Sequence, residues 1–139
     1  MKVVRRVYES LDQLGVGETV LADPEGRARF EELCHPDFEL ISFPGLGDAS
    51  GTFRGYEGLR AFVRALDEVF EDIKFIPGRH VADGDFVVFA VAAQGTGKGS
   101  GGRPEMEIAH LWELEAARAK RCVVHEKLEG ALEAAGLSG

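Results

Sequence analysis

Val3, Val4, Val7, Tyr8, Leu11 and Leu14 recur at intervals of three and four, the stripe of an amphipathic helix that Gly15 and Gly17 close. Asp23-Pro24 offers a capping carboxylate and a proline at the first helical position. Phe30, Leu33 and Cys34 then share one face of a second helix until His35-Pro36 ends it. FELISF (38–43) is dense in β-formers, and PGLGDASGTFRG (44–55) reads as a loop. Leu59, Phe62, Val63, Leu66, Val69 and Phe70 give a third helix the cleanest 3.6-residue stripe of the chain. From Ile73 onward the pattern becomes that of strands: IKFIPGRHV, a tight turn at Ala82-Asp83-Gly84-Asp85, FVVFAVAAQ, a glycine-rich connection, EMEIAHLWEL, a short turn and KRCVVHEKL. Pro77-Gly78 marks the first of these as an edge strand or a bulged one. EGALEAAGLSG adds a last turn or two of helix ended by Gly136.

Helices first and consecutive hairpins afterwards predict an α+β fold, with about three N-terminal helices packed on one face of a curved antiparallel sheet. A chain of 139 residues suits one domain spanning 1–139, and a domain of this size buries roughly 70% of its unfolded surface. The balance of 16 basic against 24 acidic residues gives a net charge of −8, which disfavours nucleic acid and anionic membranes as partners. Cys34 and Cys122 form no CxxC pair, so reduced structural thiols are expected. With neither an apolar leader nor a long uncharged apolar run, the expectation is a soluble, cytoplasmic chain.

AAQGTGKGSGGRPE (92–105) resembles a phosphate-binding loop at first sight, but such loops need a helix to follow. Here Lys98 precedes Gly99, not Ser or Thr, and a strand pattern follows Arg103-Pro104. The stretch therefore reads as a connection between two strands. His35, His80, His110 and His125 stand at no metal-ligand spacing, so no metal and no cofactor are expected.

Helices over a bent sheet leave a cone-shaped gap suited to a small ligand. In EMEIAHLWEL the period of two sends Met106, Ile108, His110, Trp112 and Leu114 inward and Glu105, Glu107 and Glu113 outward. If EAARA (115–119) closes a tight hairpin, Ile108 can face His125 across the strands, with Arg121 and Val123 on the same side; a slip of one residue would turn His125 outward. An imidazole among Trp112 and aliphatic groups should have a lowered pKa and suit acid–base chemistry, or it is simply a half-buried histidine hydrogen-bonded within the core. Glu39 alternates with Phe38 and Leu40 and so faces outward by default, although both faces of a twisted sheet can be covered.

The words HPDFEL, GTFRGYEGLRAFVRAL, DGDFVVFAVAAQGTGKGSG, AHLWEL and EGALEAAGL follow in the order and at the spacing of a known family. From about Leu33 the chain resembles the SnoaL-like family, relatives of ketosteroid isomerase in the nuclear-transport-factor-2-like superfamily. The resemblance implies a cystatin-like cone of curved antiparallel sheet with helices on its concave face, and a homodimer formed through the sheet. Relatives include polyketide cyclases, isomerases and epoxide hydrolases, besides members without assigned activity, so fold does not fix reaction. Where similar enzymes carry Asp-x-aromatic-x-apolar, this chain reads His110-Leu111-Trp112-Glu113-Leu114. The isomerase's second carboxylate would fall at Ser42 or Phe43, its helix tyrosine has an offset counterpart in Tyr8, and the closing strand ends in His125-Glu126-Lys127.

Two functional expectations follow. One is an acid–base isomerase or cyclase acting on a small, largely apolar metabolite, with His110 and His125 as catalytic groups and Glu39, Phe43, Phe62, Trp112 and Arg121 around the ligand. The other is a noncatalytic binding or dimerisation module, favoured by the lack of a second acid in the pocket.

Overall fold

In the computed structural model, which describes residues 2–14, 23–42, 50–98 and 105–137, the first apolar stripe forms α1 (Lys2–Leu14). Val4 and Tyr8 are buried along it. Its expected stop at Gly15 and Gly17 lies outside the described residues. Helix α2 (Pro24–Leu33) begins as the sequence suggests: the Asp23 carboxylate accepts the Glu25 N–H at 2.9 Å, and Pro24 follows the cap. An Arg6–Glu32 ion pair and a 3.1 Å bond from Arg29 Nη1 to Ser10 Oγ tie α2 to α1.

Cys34, expected to end the second helix, instead opens strand β1 (Cys34–Ser42). Pro36 excludes helical backbone from His35, and the chain turns extended one residue earlier than the apolar spacing suggests. The segment read as loop also contains an element: Gly51–Arg54 is strand β2, antiparallel to β1. Helix α3 (Gly55–Val69) follows without a connecting turn, burying Phe62, Val63, Ala65 and Leu66. Gly58 lets α3 approach β2, because a Cβ there would stand 2.8 Å from the Phe53 carbonyl carbon. Phe70, assigned by spacing to the third helix, is the first residue of strand β3 (Phe70–Asp83).

Strand β4 (Phe86–Gly97) joins β3 through a two-residue turn in which Gly84 has φ 59°. This is the expected Asp-Gly hairpin. The register jumps between Pro77 and His80, as Pro77-Gly78 foretold, and β3 lies at the sheet edge. The first half of the glycine-rich stretch is not a connection: Thr96 and Gly97 pair with Glu71 and Phe70, so β4 runs on to Gly97. Residues 99–104 lie outside the described ones. Strands β5 (Glu105–Glu115) and β6 (Arg118–His125) form the next hairpin, and α4 (Leu128–Ala135) stops at Gly136.

The six strands run β2-β1-β6-β5-β4-β3, with β1 and β6 parallel and every other pair antiparallel. The result is a curved, unclosed sheet. Helices α1, α2 and α3 cover its concave face, where Val87, Phe89, Ile108 and Trp112 join the main core. The alternate residues Val88, Ala109 and Leu111 form a smaller core with Ala131 and Leu132 of α4 on the opposite face. Among the described residues no helix is long and apolar enough to cross a membrane.

Candidate functional site

The period of two along β5 places Ile108, His110 and Trp112 on the concave face, as their spacing predicted. There they border a cavity of about 160 Å³ between the sheet and helices α1 and α3. Leu59, Phe62, Val63 and Leu66 form the α3 part of its wall, and Phe38, Leu40, Cys122 and Val124 form part of the sheet side. Among the described residues no carboxylate lines this space.

His110 stands beside Phe89 of β4 and Val124 of β6 in the ladder and is buried. Tyr8 Oη lies 2.7 Å from His110 Nδ1, and Trp112 Nε1 donates to the same phenol oxygen at 3.0 Å. Residues i and i+2 of one strand thus converge on one helix side chain. The Tyr8 and His110 rings are nearly parallel, while Trp112 meets Tyr8 edge-on at 5.8 Å.

Burial sets the charge state of the group. It pushes the His110 imidazole from 6.5 down to about 4. It raises the Tyr8 phenol well above its ordinary value; Cys122 pushes the same way, and the Trp112 hydrogen bond opposes both. Burial also lifts the Cys34 thiol to about 12 and raises that of Cys122, to which Cys34 adds. At neutral pH every polar group of this cluster is therefore uncharged.

His125 is not a neighbour of His110 across the ladder, which corrects the expected register. The two-residue turn does pair Glu115 with Arg118 and Leu114 with Ala119, but Glu113 pairs with Arg121 and Ala109 with His125. Lys120 is an extra residue in β6, and this bulge moves every later side chain to the other face. Val124 consequently faces the cavity, while His125 sits under α4, its Nδ1 beside Gly130 and its Nε2 buried without a partner among the described residues.

Glu39 and Arg121 also stand apart from the cavity. Glu39 accepts from Arg121 Nε at 3.2 Å and pairs with Arg54 Nε at 3.0 Å, and Arg121 reaches Glu113 at 3.5 Å. Arg54, Glu39, Arg121 and Glu113 thus form one row of alternating charge across β2, β1, β6 and β5. The default outward reading of Glu39 describes its position. Phe62 and Trp112 do line the cavity, and Phe43 lies outside the described residues. Among the described residues no group of three or more His, Cys, Asp or Glu is placed to hold a metal ion.

The family model of the SnoaL-like domain matches residues 19–122. The chain belongs to the SnoaL-like family. Solved structures agree on the fold of this SnoaL-like chain. One is an NTF2-like protein of unknown function from Burkholderia pseudomallei, with 18% identity, TM-score 0.75, and coverage of 96% of this chain and 94% of that one. A second is TerC co-crystallised with polyporic acid, with 20% identity, TM-score 0.73, and coverage of 95% and 94%. A third, described as a SnoaL-like polyketide cyclase from Jannaschia sp. CCS1, has 19% identity, TM-score 0.68, and coverage of 99% and 92%. No curated protein matches the sequence.

The residue that sequence reasoning left out of this SnoaL-like site is Tyr8. In the sequence it counts as one position of an apolar stripe and as an offset counterpart of the isomerase's helix tyrosine. A tyrosine on the buried side of a helix needs a partner for its hydroxyl, and that requirement was the available signal.

Proposed function

We propose that the cavity binds one small, largely apolar metabolite on the scale of a single ring, with the His110 imidazole as its polar anchor. The observation behind this reading is an apolar space of about 160 Å³ holding a buried, neutral imidazole. An apolar cavity of roughly 150 Å³ is known to stay dry and accept benzene, which sets the scale of the ligand. The co-crystallisation of the similarly folded TerC with polyporic acid is consistent with a ring-bearing ligand in such a fold.

Acid–base turnover with His110 as proton carrier is the second reading, motivated by a fold shared with a protein described as a SnoaL-like polyketide cyclase and by the histidine itself. Efficient general bases have pKa values near the working pH, and His110, at about 4, falls well below it. Binding is therefore the better supported of the two.

The test is thermal denaturation with and without single-ring ligands such as toluene, cyclohexanone and benzaldehyde. A ligand at a hundred times its Kd stabilises the native state by about 2.7 kcal/mol. Phe62→Trp and, separately, Leu59→Phe should fill the cavity and remove that stabilisation. Stabilisation undiminished in both folded variants would place the ligand elsewhere, and no stabilisation by any of the three would refute the reading.

A further inference from the structure

We infer that Tyr8 is a positioning residue that holds His110 as the Nε2–H tautomer, so that the cavity presents a neutral hydrogen-bond donor and selects ligands bearing an uncharged acceptor oxygen. The inference rests on the proposed binding function and narrows its ligand class to carbonyl compounds of single-ring size.

The argument starts from Trp112, whose indole nitrogen can only donate. The Tyr8 oxygen must therefore accept at 3.0 Å, which leaves its own O–H to be placed. The acceptor within reach is His110 Nδ1 at 2.7 Å. If Nδ1 carried the proton instead, the phenol oxygen would accept two N–H groups and its O–H would have no other bonded partner among the described residues. An unpaired buried hydroxyl disfavours that arrangement by a factor of roughly ten or more. Donation therefore runs from Trp112 to Tyr8 to His110, and the imidazole proton resides on Nε2.

Nε2 has no hydrogen bond among the described residues, yet it is not among the sealed polar atoms without a partner, a group that includes Nε2 of His125. His110 borders the cavity, and with Nδ1 held by Tyr8 we assign Nε2 as the ring nitrogen that meets it. An N–H in that position satisfies a carbonyl oxygen and offers nothing to a hydrocarbon or to a donor without lone pairs. It also has no lone pair in the ring plane with which to abstract a proton. The arrangement thus assigns His110 to polarising a carbonyl and not to acting as a base.

Two measurements test this on the intact chain. Long-range ¹H–¹⁵N NMR of the uniformly labelled protein at pH 7 should show His110 protonated at Nε2 and bare at Nδ1, and Tyr8→Phe should shift the ring towards a mixture of tautomers. Observing the Nδ1–H tautomer or an imidazolium in the wild type overturns the inference without recourse to any variant. In titration calorimetry the ratio of benzaldehyde to toluene affinity should fall from wild type to Tyr8→Phe in proportion to the Nε2–H fraction lost, about twofold for an even mixture of tautomers. Toluene and benzaldehyde binding with an unchanged ratio would sink the selectivity while leaving the binding function intact. Failure of both ligands to bind would overturn the binding function and the selectivity together, with the NMR result still deciding the tautomer.

Discussion

Replacing His110 by glutamine should flatten the acid side of the stability profile. Glutamine can accept the Tyr8 hydroxyl through its amide oxygen but does not titrate. In the native protein the imidazole lies at about 4, against 6.5 for an ordinary histidine. Above the higher value neither state binds the proton, so no stability is lost. Between the two values the unfolded chain takes up a proton that the native protein refuses, and stability falls as pH falls. Below the lower value the loss is complete at about 3 kcal/mol, and at pH 5 it already reaches about 2 kcal/mol. Urea unfolding followed by the fluorescence of Trp112, the one tryptophan of the chain, measures this directly. The stability difference between wild type and His110→Gln should shrink by about 2 kcal/mol from pH 7.5 to pH 5. Burial displaces His125 in the same direction, but both proteins contain it and its effect cancels. A difference constant to within about 0.5 kcal/mol over that range would refute the placement of His110 in a dry interior.

The β5–β6 turn consists of Ala116 and Ala117 at φ 51° and 63°, a left-handed pair that suits Asn-Gly. The double change Ala116→Asn, Ala117→Gly should raise stability by about 1–2 kcal/mol in urea unfolding, and an unchanged midpoint would argue against that turn. His125→Leu removes a buried nitrogen that has no partner among the described residues, so it should stabilise by about 1 kcal/mol and leave ligand-induced thermal shifts intact. Loss of the ligand shift in that variant would put His125 in the cavity after all. Gly58→Ala, which in an ordinary helix interior gains up to about 1 kcal/mol, should here cost about 1–3 kcal/mol because of the Phe53 backbone; a gain in denaturation midpoint would contradict that close approach.

Much of the architecture was legible because two rules rarely conflict in this chain. The 3.6-residue stripes produced α1 and α3, and the turn signals at Asp83-Gly84 and around Ala116 produced both hairpins. Legibility failed where helix passes into strand with no intervening turn, as at Cys34 and Phe70, since an apolar residue at such a junction fits either period. Strand β2 was hidden because four residues with one large apolar side chain carry too little pattern, and β1 supplies the pairing that defines it. In the site, local alternation sufficed to aim His110 and Trp112. The contact with Tyr8 spans 102 positions and depends on how α1 lies across the sheet, which no local pattern encodes. His125 was misplaced because Lys120, the bulged residue, is an ordinary polar residue with no glycine or proline to announce it.

That lysine acts as a parity bit for the last strand. Substituting residues beyond it changes the material of the wall but never which wall a residue belongs to, because membership is decided by counting. Were Lys120 drawn into the ladder opposite Glu113, Arg121, Val123 and His125 would face the hollow in place of Cys122 and Val124, whereas loss of its codon would only close the bulge and leave both of those residues where they are.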